Sequence, residues 1–259
     1  MGRQLVSGEN VGNAAKEAVR NFGWLNAALY FAARGLSILT FGAVRIVKYY
    51  VVAQPVPAKP LLPSGARTDL LIVRTFAGDR IVADFPRPPE VVAWRFSAGG
   101  LCFTARKGDR FVGFLWLHDR PYEEDEVRCL FVPKPEHRVV WDYDVYVDPE
   151  YRGGRAFVRL WDTAYDYLRA RDVRWSMSRI SAFNPGSLAA HERMGARRLA
   201  TAVFLCIGSL QIMSSTTGPY LHVSWSKATR PTLVLLAPDD CNNAKRNAGE
   251  PQGAPPLRP

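Results

Sequence analysis

The stretch VYVDPEYRGGRAF (145–157) sets two arginines, Arg152 and Arg155, around the pair Gly153-Gly154. Glycines let backbone amides come close to a ligand, and guanidinium groups add full positive charge. A helix starting directly afterwards would contribute its first, unpaired amides. Phosphate or pyrophosphate is the chemistry that suits such a turn. A second stretch, NPGSLAAHERMGA (184–196), reads as a short helix capped by Asn184, begun by Pro185 and ended by Gly195. On it Ser187, Ala190, His191 and Met194 recur at i, i+3, i+4 and i+7, so a hydroxyl and an imidazole share one face. Upstream, Asp142 and Asp144 are carboxylates of the kind that take a proton.

These groups need strands and helices to hold them. Val139–Val147 alternates, which predicts a strand with Trp141, Tyr143, Val145 and Val147 on one face and Asp142, Asp144 and Tyr146 on the other. After the turn, Phe157, Leu160, Trp161, Ala164 and Leu168 repeat at helical spacing, which predicts an amphipathic helix over 155–171. Val173–Ala182 reads as a strand between the two motifs. Earlier, Leu70–Phe76 reads as a strand, Pro89–Phe96 as a short helix and Gly100–Leu117 as a hairpin turning at Lys107-Gly108-Asp109. Val127–Val132, Arg198–Met213 and Tyr220–Ser226 add further strands.

The 259-residue chain is 47% hydrophobic and 22% charged, a globular balance that excludes collagen-like, wholly disordered and polytopic membrane classes. Its formal net charge of +10 favours anionic partners: phosphorylated cofactors, acidic lipids or nucleic acid. No helix-turn-helix, zinc-finger or RNA-recognition pattern accompanies the charge, which makes nucleic acid the least favoured of the three. Cys102, Cys129, Cys206 and Cys241 form no CxxC pair and have no histidine at ligand spacing, so neither a zinc site nor a disulfide framework is expected. Met1–Gly23 lacks the ordered features of a secretory signal, and a cytoplasmic location is the expectation.

Phe22–Val52 is strongly apolar, with Arg34 in its middle. Read as one unbroken helix, it sets Lys16, Arg20, Arg34, Arg45 and Lys48 within about 80° of one another. Such a basic stripe suits either the acidic surface of a membrane, met through residues 16–50, or packing on the domain or on a second copy. Pro55, Pro57, Pro60 and Pro63 read as a linker. The expected division is therefore a helical extension (1–60), a main domain (61–236) and a disordered tail (237–259).

The strand ending VYVDPEYRG, the glycine turn with its helix, a further strand, and N-x-x-S-x-x-x-H-x-x-x-G come in an order and spacing that resembles the GNAT family of acyl-CoA-dependent N-acyltransferases. The resemblance spans roughly 67–226 and is strongest over 139–198. It implies an α/β (α+β) fold with a mixed, mostly antiparallel central sheet flanked by helices, here with an extra N-terminal helical segment. It implies that the backbone of Val145, Tyr146 and Val147 binds the pantetheine arm of acetyl-CoA or another acyl-CoA. Arg152, Gly153, Gly154, Arg155 and Ala156 would hold the pyrophosphate, with Asn184 and Ser187 reaching the donor from the other side. His191 stands where the family usually has a tyrosine that protonates the departing thiolate. On this reading a small amine, deprotonated by Asp144 or, failing that, Asp142, attacks the thioester directly, and no metal is required. Pairing of the C-terminal strands into a homodimer is a further expectation. The glycine turn is one residue shorter than the family's usual Arg/Gln-x-x-Gly-x-Gly/Ala, which suits an alternative: a GNAT-like module that binds coenzyme A or a protein without turnover.

Overall fold

Alternating burial carries the middle of the chain into a sheet, and helical spacing lays helices across it. The computed structural model describes residues 16–63 and 69–238. Residues 16–22 are helical and, after a break at Gly23, lead into α1 (Trp24–Leu39). There follow β1 (Val44–Pro55), β2 (Leu70–Thr75), α2 (Pro89–Ser97), β3 (Leu101–Lys107), β4 (Arg110–His118), β5 (Tyr122–Glu123), β6 (Leu130–Lys134) and β7 (Val139–Val147). The remainder comprises α3 (Ala156–Arg169), β8 (Trp175–Ser181), α4 (Pro185–Arg193), β9 (Arg197–Ile207), β10 (Leu210–Ser215), β11 (Leu221–Ser224) and β12 (Thr232–Leu236).

Nine strands form one sheet in the order β11-β10-β9-β1-β8-β7-β4-β3-β2, antiparallel throughout except for the parallel pair β7–β8. On one face α3 seals Leu115, Leu117 and Val140 under Leu160, Trp161 and Leu168. Beside it, Leu188 of α4 packs near Tyr50, Val52 and Ile180. The other face is covered by α2 and by a small sheet, β12-β6-β5, whose Phe131 and Leu233 join Tyr49, Trp141 and Met177 in a second core. The result is the expected mixed architecture, a large and mostly antiparallel sheet flanked by helices.

The N-terminal quarter departs from expectation. The helix ends at Leu39, and Val44, Ile46, Val47, Tyr49, Tyr50, Val51 and Val52 make β1 instead. Branched and aromatic side chains suit a pleated surface better than a helix. β1 pairs with β8 on one edge and β9 on the other, so the proline-rich segment does not divide the sheet. The boundary expected near residue 60 therefore separates no independent unit. The single basic stripe is broken as well, because Arg45 and Lys48 lie on the strand. The tail from residue 239 onward lies outside the described residues.

Candidate active site

β7 and β8 pair only at their beginnings, Val139–Trp141 against Trp175–Met177. Past that point each pairs only outward, β7 with β4 and β8 with β1, and a wedge opens between two facing edges. Unpaired edge amides and carbonyls can hydrogen-bond an extended ligand. A bulge accompanies the opening: Trp116 faces Asp144 and Leu117 faces Asp142, leaving Tyr143 as the extra residue. The alternation read from the sequence therefore holds to Tyr143 and shifts after it. Val145 and Val147 pack against the α3 side, Tyr143 and Tyr146 join Phe114 and Trp116 on the opposite side, and the two aspartates part. β4 comes so close here that a Cβ on Gly113 would lie 2.4 Å from the Tyr146 carbonyl oxygen.

From the open end of β7 the chain enters the turn. Asp148 accepts from the Glu150 amide at 2.9 Å, Gly153 takes φ 77°, and α3 begins at Ala156 with no side-chain cap. Its first amides are left for a ligand. Arg152, Gly153, Gly154 and Arg155 are exposed around them, while Ala156 is buried. Arg152 is steadied by its Nε, which donates to the Val147 carbonyl at 3.0 Å. Across the wedge, Asn184 caps α4 by accepting from the Ser187 amide at 3.0 Å.

The titratable residues depart from their expected tasks. Both oxygens of Asp144 are taken: Arg87 donates Nε and Nη2 at 2.8 Å each, and Arg95 Nη1 adds a bond at 2.6 Å. Asp144 therefore fastens α2 and the segment before it to β7, and the expectation that it is the base is corrected. Asp142 is buried and accepts from Ser176 Oγ at 3.0 Å. Burial pushes its pKa up to about 7, against the serine hydrogen bonds that pull it down.

His191 is also buried, edge-on to Phe157 and Trp161, with Nδ1 2.8 Å from Gln54 Oε1. A glutamine Oε1 can only accept, so Nδ1 carries the hydrogen. Desolvation lowers the imidazole pKa to about 4. A ring that is neutral at pH 7 has no imidazolium proton to give, which corrects its expected role toward the thiolate. It ties α4 to β1 through Gln54, whose amide donates to Tyr165 on α3. Sequence reasoning passed over Gln54; the one available signal was a lone amide in the apolar run YYVVAQP. It also missed Arg179, which grips the buried Glu124 with two bonds of 2.7 and 2.6 Å on the other side of β8.

These two buried groups carry opposite pH dependences. Between about pH 4 and 6.5 folded His191 binds fewer protons than its unfolded counterpart, so acid destabilises the fold, by on the order of 3 kcal/mol. Asp142, with its pKa raised, contributes stability below about pH 4 that is lost as pH rises through 7. His191→Gln should therefore lose stability as pH rises from 4.5 to 7, and Asp142→Asn should gain it. Denaturant titrations at both pH values check this; identical slopes in wild type and variants would refute the assignment.

A mixed sheet whose one parallel pair splays toward an uncapped helix N-terminus is the arrangement that the sequence resemblance implied. Residues 72–196 match the model of the Acetyltransferase (GNAT) family. Among solved structures, a putative GNAT-family acetyltransferase from Novosphingobium aromaticivorans is 19% identical, with 61% of this chain and 63% of that one covered and a TM-score of 0.44. A functionally unknown conserved protein from Staphylococcus epidermidis is 11% identical, with 66% and 65% covered and a TM-score of 0.46. This chain thus spans just under two thirds of the length of each. A GNAT-family acetyltransferase from Elizabethkingia anophelis with acetyl-CoA bound is 12% identical, with 49% and 75% covered and a TM-score of 0.37. No functionally curated protein matches the chain. Among the described residues no His/Cys/Asp/Glu group is arranged to hold a metal ion, and no helix is long and apolar enough to cross a membrane.

Proposed function

We propose that the protein moves an acetyl group from acetyl-CoA to a small amine, with Asp142 taking the amine proton. The observation that carries this reading is the β7–β8 wedge running into the uncapped start of α3. Those residues fit the donor: unpaired strand edge at Val145, Tyr146 and Val147 for the pantetheine amides, and Arg152, Gly153, Gly154, Arg155 and Ala156 for the pyrophosphate. Asn184 and Ser187 lie across the wedge. When bound, the donor supplies the activated acyl group. Asp142 directly follows Trp141, the last paired residue at the closed end of the wedge, and its pKa matches a base working near neutral pH. On the opposite face a cleft of about 130 Å³ is lined by Trp94, Arg95, His118, Tyr122, Glu123 and Tyr143. Arg95 already lies over the Tyr143 ring there, so the cleft is cationic and stands apart from the Asp142 side.

The test is calorimetric titration of the full chain with acetyl-CoA, followed by thiol release over a panel of amines. Arg152→Ala, Arg155→Ala should weaken binding roughly 10- to 100-fold, from the loss of two charged phosphate contacts. Saturable binding without turnover on any amine would favour the second reading, a coenzyme A-binding module, which the shortened turn supports. Absence of binding by the folded chain would refute both.

A further inference from the structure

α1 is oriented against the usual rule. One of its polar residues, Asn26, faces the sheet, donating to Tyr50 Oη and accepting from Lys48 Nζ, both at 2.8 Å. Most of its large apolar residues face outward, while Tyr30 packs on Phe183. At 100° per residue, the exposed positions 24, 25, 28, 31, 32, 36, 38 and 39 fall within one arc of about 160°, and every one is apolar. Arg34 lies at the border of that arc. Trp24 is 69% exposed and Leu39 78%, and only Ala27 of the helix is buried. A surface helix normally turns such a stripe toward the core.

The end of the helix adds a second observation. Phe41 is 99% exposed and sits at φ 50°, a backbone region that bulky residues rarely adopt. The following Gly42, at φ 82°, completes the reversal into β1. A strained turn that displays a whole aromatic ring to solvent points outward for a reason. Charge says what the face meets. From Ala18 to Thr68 the chain contains no Asp or Glu; Arg34 is exposed on α1, and Lys16 and Arg20, with Glu17 between them, are exposed on the helical residues before the Gly23 break.

We infer that α1 and the Phe41 turn form a docking surface for an anionic lipid bilayer, the helix lying in the headgroup layer with Phe41 and Leu39 inserted and the cations at its border. An apolar stripe with aromatic anchors and flanking cations is the pattern of an interfacial helix. Two copies meeting through this face would instead bring the arginines at its border together. The inference is independent of acyl transfer, since none of these residues belongs to the wedge.

Flotation of the full chain with extruded vesicles tests it. Binding is expected to phosphatidylcholine vesicles containing a quarter phosphatidylglycerol, to weaken in 0.5 M NaCl, and to be far weaker to phosphatidylcholine alone. Arg20→Ala and Arg34→Ala should each weaken it about five-fold. Ile38→Ser, Leu39→Ser, Phe41→Ser, which alters only exposed side chains, should abolish it while leaving acetyl-CoA titration and the thermal transition unchanged. No flotation with the acidic vesicles, or flotation that the triple variant retains, overturns the inference. So does a dimer in sedimentation velocity that the same variant dissociates, since the face would then belong to a second copy.

Discussion

A chain that begins at Leu61 is expected not to fold, whereas one that begins at Val44 is. The longer deletion removes β1 from the interior of the sheet, leaving β8 and β9 with no neighbour between them. It also removes Tyr49, Val51 and Ala53, all fully buried against Trp141, Met177 and Phe204. At about 1.5–3 kcal/mol for each large apolar side chain, plus the two hydrogen-bonded edges, the loss approaches the whole stability of a domain. The shorter deletion removes α1, which covers Tyr50 and Phe183 but leaves the nine-stranded sheet complete. Calorimetric scans should show a cooperative transition for residues 44–259, at a lowered midpoint, and none for 61–259. A sharp transition in the smaller piece would mean that β8 and β9 close on each other.

Asp142→Asn is expected to lower turnover by roughly 10²–10⁴-fold, the range lost with a positioned general base. The acid limb of the rate profile, set by a carboxyl near pH 7, should vanish with it. Stability should move the other way. Above pH 7 the wild-type protein holds a buried carboxylate that would gain from being in water; the amide keeps polar atoms for Ser176 without the charge. A variant less active yet more stable at pH 8 separates catalysis from scaffolding. Unchanged kcat would dismiss Asp142 as base, and Asp144→Asn supplies the contrast. That change weakens the clamp with Arg87 and Arg95, so it should lower the thermal midpoint and leave the shape of the pH profile alone.

Much of the wedge was legible because its elements have strong local periods. Val139–Val147, the helix after Arg155 and the Asn184 cap are found where spacing put them. β1 was not, for a physical reason: Tyr49–Gln54 are buried on both faces, so the run has no alternation to betray a strand. Its composition was the remaining signal, a change from Ala and Leu to Val, Ile and Tyr after Gly42. The bulge at Tyr143 left no trace at all, since one extra residue alters faces without altering spacing. For the same reason Asp142 and Asp144 looked equivalent in sequence. Only their surroundings, two serines for one and two arginines for the other, tell them apart.

The place of β1 also sets an order in time. Translation releases Val44–Pro55 early, yet Pro55 must wait for Trp175 and Val44 for Ile207 before either edge can pair. Until then the ribosome holds out a bare apolar strand, and sequence-distant pairing of this kind is slow and exposed to aggregation. Fast expression should therefore yield inclusion bodies, and slower synthesis or a holding chaperone should recover soluble chain. A strand that ends up inside the finished sheet, flanked on both edges, is during synthesis its most vulnerable part.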